Sequence, residues 1–227
     1  MTTTAQVKKL VTPLVQHHAD LALVGRTIVI RPVHHILRFI SLSRTSNPDQ
    51  LTTGWNVNIL FQPARVTTLS WGDGFYATAH GRWLLSNPRT QAVLFEEIEK
   101  KALPPLRAMD TIENFLAHVS GHDYRHHLFD RPCRKFIVDI ALGDFDSARA
   151  ICANTICKWN RKNFGQDEED WALLDGLKKL CVCLAADDRK GMAKILHDWE
   201  AQTVKNLKVD HLWEPTPFPF EVRGRQI

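Results

Sequence analysis

The chain has 227 residues, 44% of them hydrophobic and 24% charged, and a formal net charge of +4. That balance is ordinary for a folded globular protein and excludes large-scale disorder. No window approaches the roughly 18 consecutive apolar residues of a membrane span, and the opening MTTTAQVKKLVTPLVQHHAD is too short and broken in its apolar run for a signal peptide, so a cytoplasmic protein is expected.

Residues 4–22 read as one amphipathic helix, with Val7, Leu10, Val11, Leu14 and Val15 on a single stripe and Pro13 as a kink or a late start. Gly25 closes that segment. A β-meander follows. Residues 27–31 are a β-branched run stopped by Pro32, and residues 32–35 form a turn. Residues 36–43 are a longer strand, apolar on both alternating sets and therefore central and covered on both faces. Residues 44–53 form a polar loop around Asn47-Pro48-Asp49. Residues 55–61 alternate cleanly, Trp55, Val57, Ile59 and Phe61 against Asn56, Asn58 and Leu60. A further strand is expected over 66–71, with Gly72-Asp73-Gly74 as a hairpin turn and an irregular return through 75–85.

Ser86-Asn87-Pro88 has the chemistry of a helix start, and the helix runs to about Ala102, where Pro104-Pro105 ends it. Asp110-Thr111-Ile112-Glu113 opens a short helix as a capping box. From Arg131 onward the pattern is helical hairpins, and residues 143–159 align with 187–203 at an offset of 44. The tail WEPTPFPFEVRGRQI is expected to lie extended.

The fold class expected is α+β: an antiparallel four- to five-stranded meander packed by helices, followed by C-terminal α-helical hairpins. Residues 1–120 would form the sheet domain, 131–207 the hairpin region packed on it, and 208–227 an extended tail. The five cysteines, Cys133, Cys152, Cys157, Cys181 and Cys183, are odd in number and fall in apolar helical patterns. Reduced thiols are expected there rather than a disulfide framework, and Cys181 and Cys183 would point to different faces of one helix.

The positive charge is concentrated in the sheet. Between residues 25 and 86, Arg26, Arg31, Arg38, Arg44, Arg65 and Arg82 face only Asp49 and Asp73. Without a lysine run this is a poor nucleic-acid footprint. Arg26, Arg31, His34, His35, Arg38 and Arg44 are the candidate ligand-binding set, since a guanidinium offers a forked donor to phosphate or carboxylate. Trp71, Arg82 and Trp83 are the candidate interface set, because Trp and Arg dominate interface energetics. His118, His122 and His126 would share one face of an unbroken helix at metal-ligand spacing. Ser120-Gly121 interrupts that helix and no HExxH glutamate is present, so no metal and no cofactor are expected. Phosphate loops, the dinucleotide fingerprint and the GxSxG elbow are all absent from the sequence.

Gly25-Arg26-Thr27, the strand from Arg38 to Arg44 and the Trp55–Phe61 stretch, in the order helix, meander, helix, resemble an uncharacterised bacterial family known only as a domain of unknown function. The likeness covers about the first 120 residues and implies no activity and no site residue. The function expected is that of a non-catalytic, cytosolic protein-interaction module of the immunity or adaptor kind, whose partner is another protein. The alternative is an enzyme or binding protein for a small anionic ligand at the arginine-rich sheet.

Overall fold

The computed structural model describes residues 3–69, 71–75, 83–121 and 131–223. Helix α1, Thr4–His17, begins at a capping box in which Thr3 and Gln6 bond each other reciprocally, and it buries Val7, Val11 and Leu14. It stops earlier than its sequence pattern suggests. Leu21–Val24, whose first two residues fall within the expected helix, is instead strand β1. A short apolar run of this kind fits a helix face and a strand equally well. β1 pairs antiparallel with β2, Thr27–Ile30, through a two-residue turn closed by Val24 opposite Thr27. Gly25 has φ +64° at the first turn position, where a side chain would be strained. Its role is therefore a hairpin turn and not a helix stop.

β3, Ile36–Arg44, and β4, Gln50–Ile59, form the central ladder, with nine registered pairs from Ile36–Ile59 to Arg44–Leu51. β4 starts well before the stretch at which its alternation becomes obvious, so only residues 45–49 remain as the loop. There Asn47 accepts from the Asp49 amide at 2.9 Å, an Asx turn. Strand order is β1-β2-β3-β4-β5, which makes β3 central; Ile36–Ile40 and Leu42 are all buried. β5, Gly72–Phe75, and β6, Trp83–Leu84, occupy the far edge of β4 in succession.

β5 corrects a sequence expectation twice. Residues 66–69 are irregular, and the glycine-rich segment read as a turn is the strand. At Gly72 a Cβ would collide with the Trp55 carbonyl and the Asn56 backbone. Glycine here marks backbones pressed together, which a strand edge can require as readily as a turn. The irregular loop is held by Asn58. Its amide accepts from the Thr68 N–H at 2.9 Å and donates to the Thr68 carbonyl at 2.8 Å. Val66 and Leu69 consequently stand 70% and 64% exposed on an anchored backbone.

One face of this sheet is covered by helices. α2, Thr90–Glu97, passes through a wide π-turn at Ile98–Ala102 into α3, Leu103–Ala108. Pro104-Pro105 does not end the helix as expected. The prolines sit in the first turn after the wide one, where a missing N–H costs little. α4, Ile112–Ser120, sets Phe115 against Trp71 at 5.3 Å between ring centroids and His118 against Trp55 at 5.7 Å. Met1–Ile59, Val66–Val119 and Lys208–Glu214 make up this first compact unit.

The second unit comprises Leu60–Arg65, Ser120–Leu207 and Pro215–Ile227. Its helices are α5, Pro132–Leu142; α6, Phe145–Asn154; the single turn α7, Arg161–Phe164; α8, Glu168–Ala185; and α9, Arg189–Asn206. The offset of 44 has a physical counterpart. Asp144 caps α6 by accepting from the Ser147 amide, and Asp188 caps α9 by accepting from the Gly191 amide. The tail is extended over 215–218 and then forms a short helix, α10, Pro219–Arg223, rather than remaining extended throughout. Phe218 and Phe220 are buried, the first against Phe61 and His197 and the second against Phe145.

Cys152 and Cys181 are joined as a disulfide between α6 and α8, with Cα atoms 6.0 Å apart. At these two positions the expectation of reduced thiols does not hold, because helix packing brings residues 29 apart in sequence face to face. Cys133, Cys157 and Cys183 are free. Burial raises the pKa of the Cys133 thiol; at Cys183 burial and then the nearby Asp188 carboxylate do the same.

Candidate functional site

The site is built where α1 hands over to the sheet. His18 is the C-cap of α1, and Ala19-Asp20 turn the chain into β1. The Asp20 carbonyl accepts from the Arg31 amide at 2.7 Å, and the Arg31 guanidinium donates to the Ala19 carbonyl. Opposite lies the segment 211–214. Val33 bridges Trp213 in parallel, through its N–H to the Leu212 carbonyl at 3.1 Å and its carbonyl from the Glu214 amide at 2.8 Å. His34 completes the clasp, because the carbonyl of Glu214 at 2.9 Å can only accept and Nδ1 must donate. Between residues 19–20, 31–32 and 211–214 lies a cleft of about 510 Å³.

A charged chain backs this cleft. Arg107, in the last turn of α3, holds Asp20 with both prongs, Nε to Oδ2 at 2.8 Å and Nη2 to Oδ1 at 2.9 Å. This pairing lowers the Asp20 pKa, against the opposing effect of burial, and raises that of Arg107. Arg107 Nη2 also reaches His18 Nδ1 at 3.3 Å. A guanidinium has no acceptor, so Nδ1 accepts and Nε2–H points to Glu99 Oε1 at 3.0 Å. His17, His18 and Glu99 place ligand atoms within 4.8 Å of one another. The Arg107 cation on the other nitrogen of His18 argues against a metal ion there.

Of the six candidate ligand residues, the structure groups Arg31 and His34 at this cleft. Arg26 occupies the β1–β2 turn and Arg44 is exposed at the last pair of β3. Arg44 lies at the far end of the nine-residue β3, roughly 26 Å along it at 3.3 Å per step, and Arg26 is separated from Arg31 by the length of β2, roughly 16 Å. His35 is buried. Arg38 is buried within β3 at 5% exposure, where it donates to the Pro32 carbonyl at 3.0 Å and the Leu106 carbonyl at 3.4 Å. Burial lowers its pKa, while Asp110 and Asp20 act on it from a distance in the opposite sense.

The interface candidates Trp71 and Trp83 are buried, and Trp83 Nε1 donates to the Phe75 carbonyl at 3.3 Å; Arg82 lies outside the described residues. Their burial removes both tryptophans from any exposed surface. Among the histidines proposed as metal ligands, His118 packs on Trp55, and His122 and His126 lie outside the described residues. Sequence reasoning missed Asp20, Arg107, His18, Glu99 and the 211–214 wall. Residues 20 and 107 are far apart in the chain, and no local pattern announces their pairing.

Two other features lie apart from this cleft. A depression of about 340 Å³ between α1 and the start of α2 carries Lys9 as its one charged lining residue, and Gln91 there donates to the Leu10 carbonyl. In the second unit Lys135, Asp139 and Ser147 form a closed triangle. Lys135 Nζ and Ser147 Oγ each donate to Asp139 Oδ2 at 2.6 Å. The serine proton is thus committed to an anion beside an ammonium, which ties α5 to α6 and leaves no free base to activate the hydroxyl.

No family model, curated protein or solved structure matches the chain.

Proposed function

We propose that the protein is a non-catalytic interaction module of the immunity or adaptor kind, acting in the cytoplasm, and that its cleft receives a segment of a partner protein. The observation that carries this reading is the composition of the cleft. Fixed charges of both signs, Arg31 and the Arg107-held Asp20, stand beside an apolar wall of Trp213, Leu212 and Pro32. A polypeptide segment offers the same mixture, and aromatic walls ringed by polar groups are where interfaces concentrate their energy. The protonation chemistry supports it as well. A catalytic acid or base needs a pKa brought toward the working pH, whereas pairing moves Asp20 and Arg107 away from neutrality. No helix among the described residues is long and apolar enough to cross a membrane.

A second reading, a small anionic ligand, draws on Arg31 and Arg38. Both donate to backbone carbonyls, and neither has a carboxylate partner among the described residues. One experiment separates the two. Random peptides displayed on phage are selected on the full-length protein, and the winners are titrated against wild type, Arg31→Glu and Trp213→Ala. The interaction reading expects both variants to weaken binding at least about tenfold, a loss of roughly 1.4 kcal/mol. Selected peptides indifferent to both substitutions would refute it. Saturable binding of inorganic phosphate that Arg31→Ala abolishes would favour the anion instead.

A further inference from the structure

Three cysteine sulfurs meet in the second unit. Cys152 belongs to the last turn of α6, Cys157 to the single 3-10 turn Ile156–Lys158 after it, and Cys181 to α8. Cys157 Sγ lies 3.5 Å from Cys152 Sγ, and all three sulfurs are within 4.8 Å of one another. A disulfide between two helices needs two of them. The third is brought beside the pair by the single 3-10 turn that follows α6.

Three thiolates sharing one ion at a metal–sulfur distance of about 2.3 Å stand roughly 3.8 Å apart in tetrahedral geometry. The Cα separation of 6.0 Å between Cys152 and Cys181 leaves their side chains free to reach that spacing by rotation once the bond is open. Exposure is graded across the cluster: Cys181 is buried, Cys152 half-buried and Cys157 exposed. An ion would therefore enter beside Cys157 and keep its fourth position toward solvent, as three-ligand sites do. The donor set is all sulfur, which selects thiophilic ions over magnesium or calcium. Cys183, two residues from Cys181 on the same helix, is not part of the cluster; its neighbour is Asp188.

We propose that the reduced protein binds one thiophilic divalent ion of the zinc class through Cys152, Cys157 and Cys181. A dithiol reductant delivers two electrons and two protons to the Cys152–Cys181 bond, leaves as its own disulfide, and generates two thiols. Binding of the ion then releases up to three thiol protons to water. In the reverse direction an oxidant of the disulfide class takes two electrons from the Cys152 and Cys181 thiolates by thiol–disulfide exchange and, with two protons from water, leaves as a dithiol; this removes two of the three ligands and releases the ion, so the disulfide and the metal exclude each other.

The test uses the full chain reduced with a phosphine under anaerobic conditions and titrated with Co²⁺, whose thiolate complexes show near-ultraviolet charge-transfer absorption. One ion per chain is expected, displaced by Zn²⁺. Loss of even an outer-shell partner costs about 10–100-fold in metal affinity, so Cys157→Ser, at an exposed position, should cost at least that. Cys157→His should retain an ion with altered absorption, while Cys133→Ser and Cys183→Ser leave binding unchanged. The proposal is overturned if the reduced protein shows no charge-transfer band, if the band is unaffected by Cys157→Ser, or if the oxidised protein binds equally well.

Discussion

Replacing Arg38 by methionine sets two opposing effects of a buried guanidinium against each other. The side chain is 5% exposed, and its pKa is pushed down by burial, so holding the charge inside β3 carries a cost. Against this stand its bonds to the Pro32 and Leu106 carbonyls, the second an otherwise orphaned acceptor near the end of α3. Hydrogen bonds from a charged donor contribute about 1.5–3 kcal/mol each. One of these is near ideal at 3.0 Å and the other long at 3.4 Å, which suggests a loss of about 2–4 kcal/mol before relief of desolvation is subtracted. Methionine refills much of the stem volume. The expected net cost of Arg38→Met is about 1–3 kcal/mol, and Arg38→Ala adds a cavity for a total of about 3–5 kcal/mol. Urea denaturation of the full chain measures both, as a lower midpoint at unchanged slope. If Arg38→Met is as stable as wild type or more so, the reasoning fails. The charge would then be retained at a net cost to folding, and the anion-binding reading would gain.

Three further outcomes are expected. His197 has its pKa raised by the carboxylate of buried Glu200, 3.8 Å from its Nδ1, and by Glu221, whose Oε2 lies 2.9 Å from its Nε2. Because the folded-state pKa is raised, its stabilisation is complete below the unfolded value near 6.5 and is lost as pH rises through the folded one. The stability difference between wild type and His197→Gln should therefore shrink from acid to alkaline pH in denaturation series; a flat or growing difference contradicts the assignment. Asn58→Ala removes both ends of the amide that holds Thr68, at about 2–3 kcal/mol, and should make residues 66–69 a preferred site of limited proteolysis. An unchanged cleavage pattern would show that the loop is held by something else. Gly72→Ala forces a methyl group into the Trp55 carbonyl and should cost about 1–3 kcal/mol, as overpacking does; a neutral result in thermal melts would mean that β5 can shift freely.

The parts of the fold written in short-range patterns were legible in the chain. β3 shows two apolar sets and proves central, and the C-terminal helices follow their stripes and aspartate caps. What was not legible has specific causes. β1 follows α1 without a glycine or proline between them, so its four apolar residues extend the helical stripe. The 66–69 stretch alternates like a strand, but Thr68 at its centre is held by the Asn58 side chain. Gly72 and Gly74 carry turn chemistry because the neighbouring backbone leaves no room for a side chain. At the site, Arg31 and His34 were found because they lie in the arginine-rich meander. Asp20, Arg107 and the 211–214 wall come from three distant parts of the chain, and only the tertiary fold decides that they meet.

The interleaving of the two units bears on how the protein can be handled. Residues 208–214 belong with the sheet although α5 to α9 intervene, and residues 60–65 belong with the helices although the sheet is unfinished at that point. No single cut in the gene yields either unit whole. An expression clone ending near residue 120 would keep the arginine-rich meander but lose Trp213 and the backbone that clasps Val33 and His34. Negative binding results from such a fragment would say nothing about the intact cleft, and a nick between residues 120 and 207 need not release the wall that the two ends of the chain build together.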